Sequence, residues 1–130
     1  MAKQEDTKPD RISEAEHAVM EVLWAGREPL TAADVCETVC EDRGWTLPTV
    51  KTLLSRLVTK RAVEAKPDGR RYLYSPLIER DDYVGGESRR LVERLFGGRP
   101  ASLFAHLAEQ EALSANDLVE IEALLKELKQ

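Results

Sequence analysis

Hydrophobic positions in the first half of the chain recur at helical spacing in three short blocks. Ser13 and Glu16 form an S-x-x-E capping box around Ala15, Val19, Val22, Leu23 and Trp24, which predicts a first helix running to about Ala25. Gly26 to Pro29 interrupt it, Thr31 and Asp34 repeat the cap signal ahead of Val35, Cys36 and Val39, and Gly44 closes a second helix. A third starts at Thr46, whose hydroxyl is expected to cap it, and tolerates Pro48 in its first turn because the missing N–H has no helical partner there. On a helical wheel Val50, Leu53, Leu54, Leu57 and Val58 fall within an arc of roughly 140°, which should face a core. The opposite arc holds Thr49, Lys51, Thr52, Ser55, Arg56, Thr59 and Lys60, all hydrogen-bond donors and none acidic.

The period then drops to two. Ala62 to Lys66 and Arg70 to Ser75 read as short strands around a turn at Pro67-Asp68-Gly69, a hairpin with a basic tip. Three helices followed by a hairpin is the order of a winged helix-turn-helix, in which the third helix enters the major groove and the hairpin touches neighbouring backbone. From Glu79 helical patterns return around Tyr83 to Phe96, Ala101 to Gln110 and, behind a Ser114/Asp117 cap, Leu118 to Leu128, with Gly97-Gly98-Arg99-Pro100 as a hinge. Leu118, Ile121, Leu125 and Leu128 form a stripe on a short helix, which needs burial against something. Self-association is the preferred reading, with Leu103 and Leu107 contributing; packing on the chain's own first domain is the other. The expected fold is mainly α within the α+β class: a flexible tail over residues 1–10, a winged-helix DNA-binding domain over 11–77 and a helical dimerisation domain over 78–130.

Composition agrees with a helical fold, because two Trp, three Tyr and two Phe leave most of the core to Leu, Val and Ala. Charge changes the picture more. The net charge of −5 argues against nucleic acid, yet from Arg43 to Arg71 eight Lys and Arg stand against only Glu64 and Asp68, so this segment carries +6 and the rest −11. No acid occurs from Arg43 to Val63. Thr, Ser, Lys and Arg on an exposed helical flank can bond to phosphates and base edges, where an acid would be repelled.

No stretch reaches the roughly 18 apolar residues that span a bilayer, and the charged N-terminus has no signal-like core, so the expected location is the cytoplasm. There Cys36 and Cys40 are expected to be free thiols at the edge of the core, with a metal or redox role as the alternative. His17 and His106 are too far from them in sequence to suggest a metal site, and no cofactor is implied. The chain has no Gly-rich phosphate loop, HExxH or GxSxG, so an enzyme is not expected. A winged-helix adaptor that binds an acidic protein shares part of the pattern.

"ISEAEHAVMEVLW", "WTLPTVKTLLSRL" and "GRRYLYSP", in this order and spacing, resemble the BlaI/MecI/CopY family of penicillinase, methicillin-resistance and copper-responsive repressors, over roughly Arg11 to Gln130. The resemblance implies a cytoplasmic homodimeric repressor in an antibiotic (β-lactam) response, bound to a palindromic double-stranded DNA operator. It maps operator contacts to Pro48, Thr49, Lys51, Thr52 and Arg56 on the third helix and Arg70 and Arg71 on the wing, with Thr46 capping the helix and touching a phosphate. It also implies release by a membrane sensor's protease, and the positions matching the cleaved Asn–Phe bond are His106 and Leu107, a different bond. The copper branch uses C-terminal Cys-x-Cys motifs, and no cysteine follows Cys40.

Overall fold

In a computed structural model of the chain, described over residues 11–130, six helices and one antiparallel hairpin form two compact units, the first ending at Tyr83 and the second spanning Val84–Gln130. The tail expected over residues 1–10 lies outside the described residues. The first unit contains α1 (Glu14–Ala25), α2 (Ala32–Arg43), α3 (Leu47–Thr59), β1 (Val63–Asp68), β2 (Arg71–Pro76) and the start of α4 (Arg80–Phe96).

The local signals act as written for α1 and α2. Ser13 and Thr31 each accept the backbone N–H three residues on, while Glu16 and Asp34 reach back to the cap N–H, so both capping boxes are closed. Gly44 ends α2 at φ +68°, a left-handed conformation that disfavours a side chain. At α3 the expectation fails in part: Thr46 occupies the cap position, but its hydroxyl makes no cap bond and lies 3.4 Å from the Thr49 hydroxyl.

Val19, Met20 and Leu23 of α1, Val35 and Val39 of α2, and Val50, Leu53, Leu54 and Leu57 of α3 interlock with Ala62 and Val63 as one core. Val58, expected inside, is 36% exposed at the rim. Glu16 is the charged residue of this core, 2% exposed, and it accepts a 2.6 Å bond from Lys60 Nζ, which also donates to the Arg11 carbonyl. Lys60 is therefore turned to α1 and not to the outer arc.

The hairpin pairs Val63 with Pro76 through Asp68 with Arg71, so the strands end later than expected and the turn is Gly69-Arg70, with Gly69 at φ +67°. Pro67 belongs to β1. Facing Tyr72 between the pairs Asp68–Arg71 and Lys66–Leu73, it needs no N–H toward its partner, and a proline is compatible with a strand there. A two-bond bridge between Leu30 and Tyr74 ties the α1–α2 connection to β2. Trp24 donates its indole N–H to the Ile78 carbonyl, and Arg80 grips Glu21 with two bonds of 2.9 and 3.1 Å, which fastens the chain after the hairpin to α1.

Cys36 and Cys40 differ from expectation. They are joined by a disulfide within α2, their Cα atoms 4.9 Å apart, and no described cysteine is free. Residues four apart share a helix face, which brings the two thiols within reach.

The second unit holds the rest of α4, then α5 (Pro100–Glu109) and α6 (Ala115–Leu128), whose Ser114/Asp117 capping box is closed as expected. None of its residues is buried, and Leu118, Leu124, Leu125 and Leu128 stand exposed along α6, Leu128 by 80%. No helix among the described residues is long and apolar enough to cross a membrane.

Candidate nucleic-acid interface

Burying one flank of α3 dictates what its other flank presents. With Val50, Leu53, Leu54 and Leu57 locked in the core, Thr49, Lys51, Thr52, Ser55, Arg56 and Thr59 must project outward, and all six are exposed, as are Thr46 and Pro48 at the helix start. The hairpin places Arg70 in its turn and Arg71 on β2, both exposed. Lys51, Arg70 and Arg71 then line one groove of about 540 Å³ between α3 and the wing, whose walls include Leu47, Tyr72 and Tyr74. Three predicted cations therefore come together, while Thr52 and Arg56 lie on the exposed flank without lining that groove.

The cations are not equivalent. Arg71 Nε and Nη2 each lie 3.0 Å from an Asp68 carboxylate oxygen, an exposed pair that neutralises part of the wing. Arg43 lies over the Trp45 ring, 5.2 Å from its centroid, just before α3. Asp34 faces the same neighbourhood. Its carboxyl is held below the ordinary range first by the Thr31 backbone N–H, then by the Thr31 hydroxyl and, more weakly, by Arg71. It stays anionic, and its charge is engaged by the α2 cap. Burial, with a smaller contribution from Tyr72, raises the Tyr74 phenol above its usual value, so this ring is a neutral donor in the groove wall.

Sequence reasoning missed Tyr72 and Tyr74 as groove residues. The R-Y-L-Y alternation carried the signal, since it puts both tyrosines on one strand face, and their rings lie 6.4 Å apart. Asp68 as the partner of Arg71 was hidden by the misplaced turn.

The dimerisation candidates are all in the second unit: Leu103, Leu107 and Ile121 are half-buried, and Leu118, Leu125 and Leu128 are exposed. His106 is exposed inside α5 with its ring 6.1 Å from that of Phe96, so the His106–Leu107 bond is helical backbone. Among the described residues no group of three His, Cys, Asp or Glu could hold a metal.

Residues 12–127 match the penicillinase repressor family model. The chain belongs to this family. The penicillinase repressor of Bacillus licheniformis is 30% identical over 122 residues, covering 94% of each chain, and the methicillin resistance regulatory protein MecI of Mammaliicoccus sciuri is 29% identical over 92% of this chain and 97% of its own. Among solved structures, the DNA-binding domain of the repressor BlaI is 33% identical with a TM-score of 0.52, covering 58% of this chain and 92% of its own. The monomeric form of Bacillus licheniformis BlaI in complex with the blaP half-operator gives 33% identity and a TM-score of 0.50 over the same shares. As a penicillinase repressor family member, the chain has the winged-helix architecture expected from its helix and hairpin order.

Proposed function

We propose that this protein is a cytoplasmic transcriptional repressor that holds a palindromic DNA operator as a homodimer, in a β-lactam response. The observation that carries the reading is the outward flank of α3, acid-free and continuous with the cationic wing groove, in a chain that is otherwise strongly anionic. Lys51 and Arg56 reach guanine edges or phosphates, Thr49 and Thr52 bond to bases or phosphates, Pro48 packs against base edges, Thr46 donates its uncapped hydroxyl to a phosphate, and Arg70 and Arg71 hold the backbone beside the groove. A relative one-third identical over this unit has been solved on its half-operator, which supports the assignment.

The N-terminal winged helix contacts DNA, and the C-terminal helices join the subunits through Leu103, Leu107, Leu118, Ile121, Leu125 and Leu128. A unit in which no residue is buried cannot stabilise three helices by its own core, and the area exposed on α6 is recovered by a second copy. Loosening of that dimer releases the operator. Cleavage at His106–Leu107 by a membrane sensor's protease is one route, and it requires α5 to unwind locally because a protease takes extended backbone.

The test is selection of binding sites from a random duplex pool by the full chain, followed by fluorescence titration. A palindrome should be enriched, its affinity should fall steeply with salt, and Arg56→Ala or Thr52→Ala should weaken it by about 1–3 kcal/mol. An adaptor that binds acidic proteins would enrich no sequence at all.

A further inference from the structure

We propose that Cys36 and Cys40 are a reversible two-electron redox site that adjusts the turn leading into α3, and hence operator affinity; the second clause rests on the DNA-binding reading above. The bridge is not needed to define α2. That helix is fixed by its Thr31/Asp34 capping box, by the left-handed Gly44 at its end and by Val35 and Val39 in the core. A ring of so few residues inside one helix also removes little freedom from the unfolded chain. What the pair does have is position. The Cys40 carbonyl accepts the Gly44 N–H that ends α2 and, at 3.0 Å, the Trp45 N–H, so the whole connection to Thr46 hangs from this residue. Four residues of regular α-helix rise about 6 Å along the axis, whereas the bridged Cα atoms are 4.9 Å apart. The bridged span is thus shorter than the same span of a regular helix. Both cysteines are half-buried at the edge of the core.

The oxidant is a low-molecular-weight disulfide. The thiolate of one cysteine attacks a sulfur of the reagent, forming a mixed disulfide and expelling one small thiolate. The second cysteine, deprotonated, attacks the protein sulfur of that intermediate, forming the Cys36–Cys40 bond and expelling the other. The protein pair loses two electrons, the reagent gains them, and the two cysteine protons end on the two small thiols. Excess dithiol reverses the exchange.

The experiment uses the full chain, reduced with dithiothreitol or treated with oxidised glutathione, and reads three quantities. Intact mass should show the loss of two hydrogens with no added glutathione and no cross-linked dimer. Exchange of the Gly44 and Trp45 amides should differ between the two forms by about tenfold. Affinity for the selected palindrome should differ by roughly fivefold or more, a difference absent from Cys36→Ser and from Cys36→Ser/Cys40→Ser. A glutathione adduct, an intermolecular bridge, or a correct bridge that leaves both the amide exchange and the affinity unchanged overturns the proposal. If both forms ignore duplex while the two amides still respond, the operator reading fails and the coupling of the pair to the turn stands.

Discussion

Replacing Lys60 with Met keeps the side-chain stem and removes the ammonium from the most enclosed ion pair among the described residues. In the native chain the ammonium lies 2.6 Å from Glu16 Oε1, with the Glu16 side chain 2% exposed and that of Lys60 20% exposed. At an effective dielectric of about 20 the gross attraction is about 6 kcal/mol, most of it offset by desolvation of the two groups. Removing one partner of a fully buried pair costs about 3–5 kcal/mol; with one ammonium face open to water, we expect about 2–3 kcal/mol, or roughly 10–20 °C in melting temperature for a unit of this size. The pH dependence gives the sign. Burial would raise the Glu16 carboxyl, but the bonds from Lys60 and Ser13 together outweigh it and leave it lowered. Its stabilising contribution in the wild type is thus present above the ordinary carboxylate range and is lost as pH falls through the lowered value. Without Lys60 only the bonds from Ser13 oppose burial, so the variant keeps less of the stability that the wild type gains above the carboxylate range. The deficit should be large at about pH 7 and shrink toward about pH 4. Urea unfolding followed by tryptophan fluorescence at several pH values measures it, and adding Glu16→Gln to Lys60→Met should recover more than half of the loss. A deficit below about 0.5 kcal/mol at neutral pH, or one that grows on acidification, would refute the reasoning.

Other outcomes follow from the same structure. Leu54→Ala, at a fully buried position in the core of the first unit, should cost about 2–5 kcal/mol in the same unfolding assay. Gly85 and Gly86 lie inside α4; a Cβ would stand in open space at Gly86 and in ordinary contact with the Arg89 guanidinium, 4.0 Å away, at Gly85, so Gly85→Ala and Gly86→Ala should each stabilise the helix by about 0.5–1 kcal/mol, read as a rise in melting temperature. Ile121→Asp, on the apolar stripe of α6, should lower the sedimentation coefficient toward that of a monomer and weaken palindrome binding while leaving a single half-site bound as before. Unchanged sedimentation would remove the dimer from the proposed function.

Much of the fold was legible because its signals are local. Ser13/Glu16, Thr31/Asp34 and Ser114/Asp117 each close a bond three residues apart, and a wheel drawn on α3 separates Leu54 from Thr52 without any knowledge of what covers Leu54. Where reading failed, the deciding contact was distant or the competition close. Lys60 sat on the outer arc of the wheel, but Glu16, 44 positions earlier, drew it to α1. Val58 fell at the edge of the apolar arc, where a few degrees decide between core and rim. Pro67-Asp68-Gly69 is a strong turn signature, yet a two-residue turn at Gly69-Arg70 keeps the Asp68–Arg71 pair and extends both strands. The cysteine pair was read by compartment when its helical spacing already placed both sulfurs on one face.

The folded chain also redefines the cationic surface that its sequence suggested. Of the eight Lys and Arg between Arg43 and Arg71, Lys60 is bound to Glu16, Arg71 to Asp68, and Arg43 lies over Trp45. Lys51, Arg56, Arg61, Lys66 and Arg70 remain, like Arg43, without a carboxylate partner among the described residues. Counting all eight as phosphate partners gives a logarithmic salt slope of about −7 per bound unit, whereas these six set it nearer −5. The Asp68–Arg71 pair is exposed and can open toward a phosphate, which adds at most one more. Lys60 cannot follow, because releasing it strands Glu16 in the core. In the proposed dimer, affinity beyond what these phosphate contacts supply would come from Thr49 and Thr52 at base edges and from pairing of two units on one palindrome, and the apolar stripe of α6 would then be needed as much as the basic flank of α3.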